Sequence, residues 1–330
     1  MYIILAHFLD HQVWQLHLVS RVFLNIRMQI LILLVLMLFF RGNCQSFHFT
    51  FTTTPPSHVQ QDMLIAAAYI EQFMELTHTI NVTVSFADLG NSILAESAPT
   101  IYCAHPDNVS FPFVMVPAAL YVQLSGAANC PLADDNFHIT VVINTRFLDH
   151  FDFNPFRIVF RSRYSFVTAM MHELVHGLGM DSSVSGSGVN ALAPFCNVYD
   201  CYVFFKSYIT GAIAAPSTLA DPAVLTSNAL FFNGTYVYSY FSLYAPSVFA
   251  AGTSVVHTNF LNLMAPTLHR GENWLVLNDN IFGMLATLGY TMANCDTPDL
   301  DRCGNCLPNY PCYITSSANT LDWFFFNTFF

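Results

Sequence analysis

The sequence predicts an α+β fold, one compact unit of two lobes. The first lobe holds strands and a long helix; the second is irregular and closed by a short terminal helix. Three observations carry this reading. Val59, Met63, Ala66, Ile70 and Phe73 follow helical spacing, and directly after them Ile80, Val82, Val84 and Phe86 alternate with polar residues. A segment rich in β-branched residues, His138–Asn144, precedes a second helical pattern from Tyr164 to Leu178. Residues 181–256 are rich in Ser, Gly, Ala and Asn with weak periodicity, and a capped helix follows them.

Taken in order, Gln45 to Ser57 reads as extended and ends in Pro55-Pro56. Ser57 is positioned to cap a helix running to about Thr77. The alternation over 80–86 makes a half-buried strand and puts Asn81 on its wet face. Pro117 to Ser125 reads as a short helix stopped by Gly126. The helix over 164–178 ends at Gly177 or Gly179. Asp279 or Asn280 caps the last helix, which places Ile281, Met284, Leu285 and Leu288 on one face and stops at Gly289.

The 330 residues are 54% hydrophobic and 9% charged, which excludes a disordered chain or a charge-rich scaffold. Ten Lys and Arg face 21 Asp and Glu, so there is no basic footprint and no nucleic-acid partner is expected. The longest apolar run, Ile30 to Phe40, follows Arg21 and Arg27. It is short for a membrane helix, which needs about 20 residues, and fits the core of a secretory signal. Residues 1–44 are read as that signal, with Met28 as the start. Their removal leaves a net charge of −13, eight cysteines and three glycosylation sequons, at Asn81, Asn108 and Asn233. A secreted, disulfide-bonded glycoprotein follows, with no membrane helix in the mature chain; the alternative is anchoring through an uncleaved N-terminal segment. Cys295, Cys303, Cys306 and Cys312 read as two disulfides in a C-terminal tail over 293–330, in preference to a zinc knuckle.

The residues that carry chemistry are Met171-His172-Glu173-Leu174-Val175-His176-Gly177-Leu178-Gly179. On a helix, residues i and i+4 differ by about 40° around the axis, so His172 and His176 share one face and can hold one zinc ion. Glu173 is offset by about 100°, which lets its carboxylate reach a water on the metal as general base. A catalytic zinc needs a third protein ligand. Many extracellular zinc proteases place it six residues after the second His, but here that position is Ser182. His257 is the leading candidate, with Asp181 and His269 as rivals. Seven residues after His257 comes Asn262-Leu263-Met264-Ala265-Pro266, which resembles a Met-turn.

This order of helix with two His, long insertion, third His, Met-turn and helix resembles the leishmanolysin family of metzincin proteases. Here 80 residues separate His176 from His257. The likeness covers about residues 130–292, and 58–130 more loosely, so 45–292 reads as the catalytic domain. The spacing from His257 to Met264 is shorter than in leishmanolysin itself. The resemblance implies a zincin/metzincin-like fold. Its N-terminal lobe carries a twisted mixed sheet and the active-site helix, and its C-terminal lobe the Met-turn and terminal helix. It also implies that the strand equivalent to 138–144 binds a protein or peptide substrate as an added strand. The function expected is a secreted zinc endopeptidase with His172, His176 and His257 on the metal and Glu173 as base. The alternative is a catalytically silent binding or adhesion protein on the same fold.

Overall fold

A computed structural model describes residues 46–293, apart from 108, 110–112, 134, 154–157, 207–212, 215–218 and 238–240. Residues 1–44, read above as a secretory signal, the four C-terminal cysteines and Asn108 lie outside these residues.

The chain is mixed α+β. Strand β1 (Phe47–Phe51) leads through Pro55-Pro56 into helix α1 (Ser57–Glu71). Ser57 is the first helical residue rather than the cap; Pro56 stands before it and supplies no side-chain bond. The helix ends at Glu71, short of Thr77, because the following backbone is used elsewhere. The Glu75 amide donates to Thr291, and Phe73 accepts from the Ala293 amide. Tertiary pairing to residues 291–293 thus replaces a helical turn.

Next come β2 (Ile80–Ala87), β3 (Ala95–Pro99), β4 (Tyr102–Ala104), β5 (Val114–Pro117), α2 (Ala118–Ser125) and β6 (Ile139–Asn144). Gly126 ends α2 at φ +70°, a conformation that glycine adopts without cost. The main sheet has the order β1-β2-β6-β3, with β1, β2 and β6 parallel and β3 antiparallel to β6. Ile80, Val82 and Val84 of β2 and Ile139, Val141 and Ile143 of β6 are fully buried. Asn81 is half-buried and its amide donates to the Asn136 carbonyl, whereas Asn233 is exposed.

A 3-10 turn at Thr145–His150 leads to a short parallel ladder of β7 (Phe151–Asp152) with β8 (Tyr164–Ser165). Helix α3 (Phe166–Gly177) follows, capped by the Ser165 hydroxyl, which accepts from the Thr168 amide. It packs on α1, β3 and β6. A Cβ at Gly177 would collide with the buried Ile139 side chain, so glycine is what lets α3 come so close to β6. Gly177→Ala should cost about 1–3 kcal/mol by overpacking. Chemical denaturation measures this, and unchanged stability would mean that the contact yields freely.

The rest is irregular, as the sequence predicts. It contains β9 (Cys196–Asn197), β10 (Val203–Lys206), β11 (Ile213–Ala214), a helical turn at Pro222–Leu225, β12 (Leu230–Phe232) and β13 (Phe241–Ser242). These form the small sheets β4-β5-β9 and β11-β10-β12-β13. Cys103 is bonded to Cys130 and Cys196 to Cys201. The last helix, α4 (Asp279–Leu288), is capped by Asn278, one residue before Asp279, the nearer of the two predicted caps, its side chain accepting from the Ile281 amide. The main hydrophobic core runs from Phe47 to Met292 and takes residues from both halves of the described chain, and a small second cluster surrounds the Cys103–Cys130 disulfide and Ala118. Among the described residues, no helix is long and apolar enough to cross a membrane.

Candidate metal centre

Helix α3 is buried over nearly its whole length, and only one side of it reaches a cleft of about 690 Å³. His172, Glu173 and His176 line that cleft together with β3, the segment 251–257 and the segment 262–269. His257 comes from the far side of the long insertion. Its Nε2 lies 3.0 Å from Nε2 of His172 and 3.3 Å from that of His176, and the two helical Nε2 atoms are 3.0 Å apart. The three histidines form a group that could hold a metal ion.

The other ring nitrogens decide what such a group can do. Nδ1 of His172 is 2.7 Å from the Leu263 carbonyl, Nδ1 of His176 is 2.7 Å from the Met180 carbonyl, and Nδ1 of His257 is 2.8 Å from the Thr253 carbonyl. A carbonyl only accepts, so each Nδ1 donates and carries the proton of the neutral ring. Each Nε2 is then a bare lone pair. Three lone pairs within 3.3 Å cannot hydrogen-bond to one another, and an electron-pair acceptor between them removes the repulsion. The donor set therefore fits a metal ion. The Met-turn-like segment takes part through Leu263, whose carbonyl orients His172, while Met264 itself is fully buried.

Burial pushes His172 down to about 3, with His176 beside it adding to the effect, and pushes His176 down to about 4. Burial, then the two neighbouring imidazoles, holds His257 well below the ordinary histidine range. A metal binds the neutral ring, so protons compete only when the pH approaches these lowered values. Metal occupancy should hold from pH 7 to about 5 and fall between about 5 and 3. Dialysis at stepped pH with metal analysis would measure this; release centred near 6.5 would mean ordinary, exposed imidazoles. Glu173 moves the other way. Burial, and then the nearby Glu96, raises its carboxyl to about 8. A bound cation would oppose that rise and favour the carboxylate.

The rivals for the third position stand elsewhere. Asp181 lines the cleft, but its carboxylate accepts from the Tyr102 hydroxyl at 2.6 Å and its main-chain carbonyl from the Asn197 amide at 2.7 Å. His269 is exposed in the segment after Met264, and its amide donates to Glu272. Neither belongs to the converged group.

One expectation is corrected. The strand over 138–144 was expected to bind substrate along its edge, yet β6 is hydrogen-bonded on both sides, to β2 and to β3. The edge strand beside the cleft is β3, Ala95–Pro99. Its sequence, Ala-Glu-Ser-Ala-Pro, has neither the branched residues nor the alternation that marks a strand, so only tertiary pairing reveals it. Among the described residues that line the cleft, none is Lys or Arg.

No protein-family model, curated protein or solved structure matches the chain.

Proposed function

We propose that the chain is a secreted zinc-dependent endopeptidase with a metzincin-like catalytic unit of the leishmanolysin type. The observation that carries this is the convergence of three imidazole Nε2 atoms, each ring with its Nδ1 against a backbone carbonyl, beside Glu173 in a cleft bordered by the sheet edge β3. Zinc bonded to three ring nitrogens at 2.0–2.1 Å in tetrahedral geometry sets them about 3.3–3.4 Å apart. The observed spacing of 3.0–3.3 Å lies close to that value. The two disulfides agree with an oxidising compartment.

When bound, zinc supplies a Lewis acid for the substrate carbonyl and lowers the pKa of water it holds. The chain's own residues do the rest. His172, His176 and His257 hold the metal as neutral rings kept in orientation by the carbonyls of Leu263, Met180 and Thr253. β3 offers its free backbone edge to an extended peptide, which adds as a further strand. Glu173, buried at the cleft floor, takes the proton of the attacking water and passes it to the departing amine.

The test is cleavage of an unfolded protein by the purified chain, with chelator and with zinc restored. Chelator-sensitive cleavage that zinc restores is the expected result. A folded, zinc-loaded chain that cleaves nothing would instead favour the silent binding protein.

A further inference from the structure

Val255 has φ +76° and is fully buried. A β-branched residue pays heavily for this conformation, and such strain persists only where surrounding contacts enforce it. The contacts here are explicit. The Val255 amide donates to the Tyr244 carbonyl at 2.8 Å, and the Tyr244 amide donates to the His257 carbonyl at 2.8 Å, so Tyr244 brackets the segment from one side. The Tyr199 hydroxyl in turn donates to the Val255 carbonyl at 2.8 Å. Tyr199 is itself wholly buried, with its ring against Phe232 at 5.4 Å between centroids.

Two residues beyond this strained peptide stands His257. Its ring is further tied to the Thr253 carbonyl, two residues before Val255. The backbone turn at Val255 thus separates the imidazole from the carbonyl that orients it. Relaxation of Val255 to negative φ would turn its carbonyl away from Tyr199 and re-aim the segment that carries His257. Tyr199 lies in the long insertion, just after Val198, and reaches neither the cleft lining nor the converged nitrogens.

We propose that Tyr199 is a positioning residue for the metal centre: its hydroxyl holds Val255 in the left-handed conformation that aims His257 at the other two imidazoles. The inference rests on the metal-centre reading. It assigns to the insertion a part in building the site. The hydroxyl acts through the strain at Val255, so it should become dispensable when that residue no longer resists the conformation. Glycine adopts positive φ freely.

The experiment uses Tyr199→Phe, Val255→Gly and the double variant of the full chain. Zinc affinity is read by competition with a chromophoric chelator, and ligand geometry by the visible spectrum of the cobalt-substituted protein. Tyr199→Phe should weaken zinc by about 10–100-fold, as loss of other outer-shell partners does, and alter the cobalt bands. Val255→Gly and the double variant should both stay within about threefold of wild type, with wild-type cobalt bands. Wild-type affinity in Tyr199→Phe would overturn the proposal. So would a double variant as weak as Tyr199→Phe, because the hydroxyl would then act on the structure at large. If Tyr199→Phe does not fold, a folded, zinc-binding double variant supports the proposal and an unfolded one overturns it. Wild-type protein that binds no zinc defeats the metal-centre reading itself, a result distinct from all of these.

Discussion

Glu173→Gln is expected to leave the metal content unchanged and to lower peptide-bond cleavage by about 10²–10⁴-fold, the range for loss of a general base. The replacement keeps the size and burial of a side chain that is 7% exposed, so the helix has no reason to shift. It removes the one carboxylate on α3 in the cleft, and with it the proposed proton acceptor. Glu173 is not part of the histidine group, which is why the metal should stay. Metal analysis and cleavage assays on the same sample separate the outcomes. Comparable cleavage would remove Glu173 from the role of base, and loss of metal would show that it supports the site structurally.

His257→Ala is expected to cost zinc affinity more than the roughly 100-fold upper range seen for outer-shell partners. The variant leaves two ligands on one helix, and two imidazoles cannot complete a three-ligand catalytic site. It also leaves His172 and His176 with their Nδ1 atoms still bound to carbonyls, so those rings keep their orientation and report on the loss of the third alone. His269→Ala is the control, because that ring is exposed and outside the group. Full metal content in His257→Ala, with loss in His269→Ala, would transfer the third position to His269.

The two variants probe parts of the site that differ in how visible they are in the chain. His172, Glu173 and His176 are legible because they lie on one helix, where spacing alone sets direction. The strands Ile80–Ala87 and Ile139–Asn144 are legible for a similar reason, since burial of one face forces alternation or a branched run. The end of α1 is not, because the backbone of 73–75 pairs with residues more than 200 positions away. The cap of α4 is displaced by a single residue, since Asn278, Asp279 and Asn280 are all competent caps and the turn geometry selects among them.

What the sequence determined by itself is local: helix faces, strand alternation, glycine stops and the pairing of two imidazoles one turn apart. The third ligand is legible only as a leading candidate, His257, with Asp181 and His269 as rivals, because no local period spans 80 residues. The tertiary structure brings His257, and neither rival, within 3.3 Å of the two helical imidazoles, with Tyr199 and Tyr244 both hydrogen-bonded to Val255. It also decided that Ala95–Pro99 rather than Ile139–Asn144 forms the sheet edge at the cleft. A strand's neighbours are set by hydrogen bonds to distant backbone, and that information is carried by no single stretch of residues.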